Sequence, residues 1–228
     1  MISNNPFSEE LQHSCYEIWN KILNHRFIFE IQQDNLPLNK FIFYLKQDHI
    51  FLTEFCKLLQ TSANVANTKE EIEFFETLIN NTTMFEIKMQ EEIMDSIGIG
   101  TKPYPAFIQY TTTTTTSNYV SFLKSAKETD DLGIFVSAIA PCPWTYFEIA
   151  SKLTKVAFKT PVYKKWIQFY SSKESQKQVS DIKELLNWLA MQTDNNNNNQ
   201  KKLILMKYFT MACNYELDFW NMAYLNGE

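Results

Sequence analysis

The sequence predicts an all-α protein, a helical bundle formed by a single domain over residues 1–228. Apolar residues recur at spacings of three and four from about residue 8 to residue 225, which is the period of an amphipathic helix. The chain contains four glycines, whereas hairpins depend on glycine-rich turns. No segment shows the alternation that is typical of a strand. A hydrophobic content of 45% is sufficient for one core.

Breaks in this periodicity delimit the helices of the N-terminal half. The first predicted helix covers residues 8–31 and ends before the "LP" at 36–37, after which a second helix runs to about residue 60. Thr68, with Glu71 three positions later, resembles a capping box. We therefore expect a third helix that begins there and reaches about Ile97.

The C-terminal half is divided in the same way. "GIGTKPYP" at 98–105 is a break, the next helix reaches about Leu123, and the apolar run 132–140 leads into a bent helix that reaches about Phe158. The segment "VYKKWIQFY" and residues 175–192 and 201–225 supply the last three helices. The asparagine-rich run 194–200 predicts a flexible surface loop, and the six threonines at 111–116 predict strained helix or a local irregularity.

Composition excludes several classes of function. The net charge is −5, and the sequence has no basic stripe that would neutralise the phosphates of a nucleic acid. The start "MISNNPFSEE" does not resemble a signal peptide, and the apolar run "LGIFVSAIA" is too short to span a bilayer. The four cysteines are too far apart for a zinc or dithiol motif. We expect a cytoplasmic protein with free thiols that binds no membrane.

Two acidic residues interrupt otherwise apolar helical stripes. Asp48 lies between Leu45 and Leu52 on the second helix, and Glu216 lies between Cys213 and Trp220 on the last one. A carboxylate on a buried face is costly unless it is paired, protonated or bound to a ligand. A structural role is a reasonable explanation for either acid alone. A shared polar cavity inside the bundle explains both.

The segment "APCPWTYFEI" places Cys142 between two prolines at the end of a buried apolar run. Pro143 suits the first turn of a new helix, and a helix N-terminus lowers the pKa of a thiol and favours the thiolate. This context predicts that Cys142 is reactive, with Tyr146 on the same helical face. A cysteine–histidine pair remains open, although His49 directly follows Asp48 and so points away from that face.

The remaining candidate residues point to structural roles or to ligand stacking. Cys15, Cys56 and Cys213 lie on apolar stripes and are interpreted as core thiols. His13, His25 and His49 form no recognisable set of metal ligands, so we expect no metal site. The chain contains 18 Phe, 11 Tyr and 5 Trp. A thiol, two buried acids and many aromatic rings together suggest a flat, electron-poor heteroaromatic ligand.

Four ordered motifs, distributed over residues 7–225, resemble the TenA family, also called thiaminase II or aminopyrimidine aminohydrolase, in its cysteine-containing branch. The motifs are "WNKILNHRFIFEIQQDNLPLNKFIFYLKQDHIFL", "APCPWTYFEIASKL", "PVYKKWIQFY" and "NYELDFWNMAY". The resemblance implies a haem-oxygenase-like helical bundle, assembled as a homo-oligomer (a tetramer or a dimer), without metal or cofactor. It also implies hydrolysis at the methylene carbon of an aminopyrimidine, in the salvage of thiamin.

The resemblance also implies roles for individual residues. Cys142 would be the nucleophile, Asp48 would engage the ring nitrogen and amino group of the pyrimidine, and Glu216 would transfer the proton at the leaving group. The residues expected to contact the substrate are Phe51, Tyr119, Tyr146 and Tyr170. Phe51 replaces a tyrosine of some members, and the family's glycine before "LP" is replaced within "QDNLP". The alternative is a protein of the same fold that binds a pyrimidine without turnover or that regulates a partner.

Overall fold

The computed structural model describes residues 6–66, 68–99, 111–192 and 198–225. Within these ranges the regular structure is helical and contains no strand. The N-terminal half contains α1 (Phe7–Ser14), α2 (Tyr16–Leu23), α3 (Arg26–Gln32), α4 (Leu38–Ala63), α5 (Lys69–Asn80), a π-helical turn (Asn81–Glu86) and α6 (Ile87–Ser96). The C-terminal half contains α7 (Thr114–Lys127), α8 (Leu132–Ile139), α9 (Pro141–Leu153), α10 (Pro161–Tyr170), α11 (Lys173–Met191) and α12 (Asn198–Leu225).

The prediction of one continuous helix at the start of the chain was wrong, because the segment forms three short helices. The backbone leaves helical geometry at Cys15 (φ −115°, ψ 23°) and again at Asn24 (φ −113°, ψ 19°). At the second break, the His25 side chain accepts a hydrogen bond from the Phe27 N–H and caps α3. The apolar spacing continues through both breaks, so periodicity alone could not reveal them.

The third predicted helix begins where the capping residues indicated. The Thr68 hydroxyl accepts a hydrogen bond from the Glu71 N–H at 3.1 Å. Between α5 and α6 the helix widens into the π-helical turn, a feature that is frequent at functional sites. The turn carries Glu86 at its last position, which faces the candidate site described below.

The threonine run leads into a helix: residues 111–113 precede α7, and residues 114–116 are its first residues. Thr113 is the N-cap of α7, and its hydroxyl accepts a hydrogen bond from the Thr116 N–H at 3.2 Å. Thr116 is buried and donates to the Gln47 side chain on α4. Of the predicted asparagine-rich loop, residues 198–200 are instead the first turn of α12, and residues 194–197 lie outside the described residues.

The bent segment around Cys142 consists of two consecutive helices with a break between them. Ala140 keeps helical dihedral angles (φ −61°, ψ −39°), and Pro141 is the first residue of α9. The second helix ends at Leu153, earlier than predicted.

Residues Leu132–Leu153 have the length and apolar composition of a membrane span, but 67% of their most apolar window is buried within the bundle, as in a core helix.

Helices α4 and α12 organise the bundle around the candidate site. α12 packs against α2, α4, α7, α8 and α9, while α4 also contacts α5, α6 and α7. Fully buried aromatic side chains fill the core around these two helices: Tyr44, Trp144, Trp166, Phe209 and Trp220. Two of the site's acids are therefore on central helices, where neighbouring helices restrict their side chains and exclude water.

Two further acids outside the site have structural roles. Glu148, in the second motif, accepts hydrogen bonds from the indole N–H groups of Trp19 and Trp144. Asp34 adopts a positive φ of 55°, a conformation that glycine usually supplies. Its carboxylate accepts hydrogen bonds from the N–H groups of Lys159 and Thr160, which connects this loop to the start of α10.

Candidate active site

Cys142 is the second residue of α9 and is partly buried at the wall of a small cavity. Side chains from α4, the π-helical turn, α9, α10 and α11 surround this cavity. They include Phe55, Glu86, Tyr146, Tyr170 and Gln178. The thiol is thus exposed to an internal space with aromatic walls, while most of the residues behind it are buried.

Glu216 lies next to this thiol, as the sequence predicted. Its carboxylate accepts a hydrogen bond from the Tyr119 hydroxyl at 2.6 Å, and the carboxylate lies close enough to the Cys142 thiol for each group to shift the pKa of the other. Burial raises the pKa of Glu216 to about 7, while the hydrogen bond from Tyr119 and the neighbouring thiol oppose that rise. A carboxyl group with a pKa near 7 can both accept and donate a proton at neutral pH.

The expectation of a lowered thiol pKa was wrong. Burial, followed by the charge of Glu216, raises the pKa of Cys142 well above its usual value, with smaller contributions from Glu86 and Asp48. Two of the first three residues of α9 are prolines, which lack an N–H group. The helix N-terminus therefore offers few donors, and three nearby carboxyl groups dominate. The resting cysteine is a protonated thiol.

Asp48 is buried on α4 and is held by fixed donors. The Tyr44 hydroxyl donates to Asp48 Oδ2 at 3.0 Å, and Gln90 Nε2 donates to the same oxygen at 2.6 Å. Burial, with the charge of Glu86 next, raises the pKa of Asp48 well above its usual value. Because both donors reach Oδ2, the second oxygen can carry the acid's proton. The Trp166 indole N–H donates to the Tyr44 hydroxyl and fixes that ring in turn.

Glu86 is a third acid at the site, and the sequence analysis missed it. The Tyr170 hydroxyl donates to its carboxylate at 2.6 Å. Burial raises the pKa of Glu86 to about 7, against the lowering effect of that hydrogen bond. The signal was available, since Glu86 interrupts a helical stripe in the same way as Asp48. The stripe comprises Phe75, Leu78, Thr82, Met89 and Ile93.

The four aromatic residues expected at the substrate divide into two groups. Tyr146 and Tyr170 line the cavity, with ring centroids 4.9 Å apart. Phe51 and Tyr119 are buried beside Glu216, with centroids 4.7 Å apart, and are not among the residues that line the cavity surface. The structure therefore places all seven predicted residues around one region, but Cys142, Tyr146 and Tyr170 are the ones at its cavity.

The other three thiols lie apart from this cavity. Cys15 and Cys213 are buried with their Sγ atoms 3.5 Å apart, which is van der Waals contact and not a disulfide bond. Cys56 is partly buried, and burial raises its pKa to about 12. All four cysteines are free, which confirms the prediction of unpaired thiols. Among the described residues, no group of three His, Cys, Asp or Glu side chains is placed to hold a metal ion.

A thiol, three carboxyl groups and two adjacent tyrosines inside a helical bundle define a protein built around a small polar cavity with aromatic walls. The sequence profile of the TENA/THI-4/PQQC family matches residues 13–226, and the chain belongs to that family. The resemblance found in the four motifs is thereby confirmed.

Curated relatives align over nearly the whole chain. An aminopyrimidine aminohydrolase of Halalkalibacterium halodurans is 28% identical over 223 residues, which cover 96% of this chain and 95% of the relative. An aminopyrimidine aminohydrolase of Bacillus subtilis is 26% identical over 218 residues, covering 96% of this chain and 89% of the relative.

Solved structures show the same fold. A TenA homologue from P. horikoshii OT3 superposes with a TM-score of 0.86 at 23% identity, covering 98% of this chain and 100% of the other. A protein from Silicibacter sp. TM1040, described as a TenA family transcription regulator, also gives a TM-score of 0.86 at 23% identity, with 96% of each chain covered. The prediction of an all-α, haem-oxygenase-like bundle is confirmed.

Proposed function

We propose that the protein is a hydrolase of thiamin salvage. It converts 4-amino-5-aminomethyl-2-methylpyrimidine and water to 4-amino-5-hydroxymethyl-2-methylpyrimidine and ammonia. It also cleaves thiamin to the same hydroxymethylpyrimidine and the thiazole. The observation that carries this proposal is the position of the Cys142 thiol at an aromatic-walled cavity, beside the buried carboxyl group of Glu216. The curated relatives named aminopyrimidine aminohydrolase support the same reaction.

The first chemical step joins the thiol to the substrate ring. Glu216, when ionised, accepts the proton of Cys142 as the sulfur adds to a ring carbon and forms an S–C bond. Asp48, whose pKa is raised by burial, donates its proton to a ring nitrogen, so that the ring accepts the electron pair of the sulfur. This pair of acids compensates for a thiol that is not ionised at rest.

The second step exchanges the group on the methylene carbon. The amino group reacts in its neutral form, after its ammonium proton has passed to solvent. Electrons return from the ring and break its C–N bond, and it leaves as ammonia with the proton that Glu216 holds. A water molecule then adds to the exposed methylene carbon and returns a proton to Glu216. The S–C bond breaks, the ring proton returns to Asp48, and the thiol regains its proton. Apart from the substrate, the cycle consumes one water molecule, and it requires no cofactor or metal.

The aromatic side chains orient the ring during these steps. Tyr146 and Tyr170 line the cavity and supply stacking surfaces for a pyrimidine, while Tyr119 holds Glu216 and Phe51 packs against the Tyr119 ring. Glu86 keeps the Tyr170 hydroxyl in place. A flat ring fits between such surfaces better than an extended aliphatic substrate does.

A second candidate is a pyrimidine-binding or regulatory protein without turnover, which the description of the Silicibacter structure as a transcription regulator favours. An ammonia-release assay separates the two. The aminomethylpyrimidine is incubated with the wild type and with Cys142→Ser, and thiamin is run in parallel. Our proposal expects ammonia from the wild type alone. Tight pyrimidine binding without ammonia or thiazole release would establish the second candidate.

Several expectations about the protein's surroundings remain predictions. We expect a homo-oligomer, a tetramer or a dimer, in the cytoplasm, with a small aminopyrimidine or thiamin as ligand and no nucleic acid or membrane as partner. Sedimentation of the purified chain measures the oligomeric state directly.

A further inference from the structure

A wide groove runs along the outside of the bundle between α5 and α11. It has a volume of about 830 Å³, whereas the cavity beside Cys142 has a free volume of about 30 Å³. The groove is large enough for an aminopyrimidine, and the cavity in this conformation is not. A ligand that reaches Cys142 therefore needs an approach route that opens towards the cavity.

The groove and the cavity meet at one side chain. Gln178 on α11 contributes to the walls of both spaces. Its Oε1 accepts a hydrogen bond from Asn81 Nδ2, which belongs to the π-helical turn directly after α5, at 3.1 Å. Asn81 also lines the cavity. The hydrogen-bonded Asn81–Gln178 pair therefore lies between the groove and the thiol's cavity, and both side chains are partly buried.

The lining of the groove suits an aromatic cation. Trp188, which is 48% exposed, and Phe74 supply aromatic surface. The charged lining residues are predominantly acidic: Glu70, Glu71, Glu73, Asp181 and Glu184, with Lys177 paired to Asp181 and Lys69 to Glu73. An acidic groove with apolar walls raises the local concentration of cations.

We propose that the α5–α11 groove is the vestibule through which cationic aminopyrimidines approach Cys142, and that the Asn81–Gln178 pair is its inner gate. This inference rests on the proposed function for the identity of the ligand. The amino group of an aminomethylpyrimidine and the thiazolium of thiamin both carry positive charge at neutral pH, whereas the hydroxymethyl product lacks that group. The vestibule attracts substrates and retains the product less.

Labelling of Cys142 tests the vestibule without turnover. Two methanethiosulfonate reagents are used, one bearing a trimethylammonium group and the other a sulfonate, and peptide mass spectrometry measures the labelling rate at Cys142. In Glu73→Gln/Glu184→Gln, we expect the ratio of the cationic to the anionic rate to fall about threefold or more from the wild-type ratio. Glu17→Gln/Glu76→Gln removes the same charge from exposed positions outside the groove and should keep the wild-type ratio.

The gate is tested with a second pair of variants. Gln178→Ala removes the inner gate, and both reagents should label Cys142 several-fold faster; Gln176→Ala, an exposed position on the same helix, should leave both rates unchanged. An unchanged charge ratio in Glu73→Gln/Glu184→Gln, or wild-type rates in Gln178→Ala, would overturn the proposal. Because labelling requires no catalysis, a protein that releases no ammonia can still pass this test, and an active enzyme can fail it.

Discussion

The two ends of the candidate site hold their acids in different ways. At one end, Asp48 accepts two hydrogen bonds on a single oxygen, from Tyr44 and Gln90, and the Trp166 indole fixes the tyrosine. At the other end, Glu216 accepts one hydrogen bond, from the Tyr119 hydroxyl, and lies beside a reactive group, the Cys142 thiol. The first arrangement fixes an acid in place, whereas the second connects an acid to a nucleophile.

This difference indicates a division of work between two buried acids. Burial raises both pKa values, and the charge of Glu86 adds to both rises; the pKa of Glu216 rises to about 7, and that of Asp48 rises well above its usual value. Glu216 is thus suited to exchange a proton at neutral pH, and the raised pKa of Asp48 suits it to donate a proton to the ring. The predictions below alter one end at a time.

Removing the nucleophile should have the largest effect. In Cys142→Ser we expect kcat to fall by about 10³-fold or more, because a serine hydroxyl is far harder to ionise than a thiol. Binding of the hydroxymethylpyrimidine product, measured by calorimetry, should stay within a few-fold of the wild type. Cys56→Ser, a cysteine outside the cavity, is the matched control. Near-normal turnover by Cys142→Ser would eliminate the covalent mechanism.

Removing the proton carrier should have the next largest effect. Glu216→Gln keeps the size of the side chain but cannot accept the thiol proton, so kcat should fall by about 10²- to 10⁴-fold with little change in product binding. Asp218→Asn, two residues later and exposed on α12, controls for the loss of one charge. A Glu216→Gln variant with full activity would show that another group takes the proton.

Altering the other end should affect binding as well as rate. Asp48→Asn still accepts hydrogen bonds from Tyr44 and Gln90, but its amide cannot donate a proton to a ring nitrogen. We expect kcat/KM to fall about 10- to 100-fold, with weaker binding of the pyrimidine. If Asp48→Asn lost rate without any loss of affinity, its role in orienting the ring would be refuted.

The smallest effect is expected from Tyr119→Phe, which should change the pH dependence more than the maximum rate. The Tyr119 hydrogen bond lowers the pKa of Glu216, so its removal raises that pKa. Because the mechanism requires ionised Glu216, activity rises with pH through about 7 in the wild type, and this acid limb should move to higher pH in the variant. If the acid limb of the pH profile did not move, the limb would have to be assigned to a group other than Glu216.

Much of this site could be predicted from single helices. Asp48 and Glu216 each interrupt an apolar stripe, and the proline-flanked Cys142 follows a buried apolar run, so local patterns identified all three. Glu86 interrupts a comparable stripe, but Thr82 weakens its apolar character and many exposed acids surround it in the sequence. The rule that identified Asp48 and Glu216, an acid on a buried apolar stripe, would nevertheless have identified Glu86.

The pKa of the thiol could not be predicted in that way. It depends on carboxyl groups from α4, α12 and the π-helical turn, which are distant in sequence and meet only in the folded bundle. Reasoning from the helix N-terminus alone gave the wrong direction. The breaks at Cys15 and Asn24 were missed for a related reason, since tertiary packing maintains the apolar spacing across them.

The central claim is that Cys142 rests as a protonated thiol and that Glu216 takes its proton during the reaction. Thiolate absorbance near 240 nm, measured as the difference between the wild type and Cys142→Ser from pH 5 to pH 9, tests this claim directly. We expect no thiolate signal at pH 7, because burial and the surrounding carboxyl groups raise the thiol pKa well above its usual value. A thiolate signal already present at pH 7 would contradict the account and restore activation by the helix N-terminus.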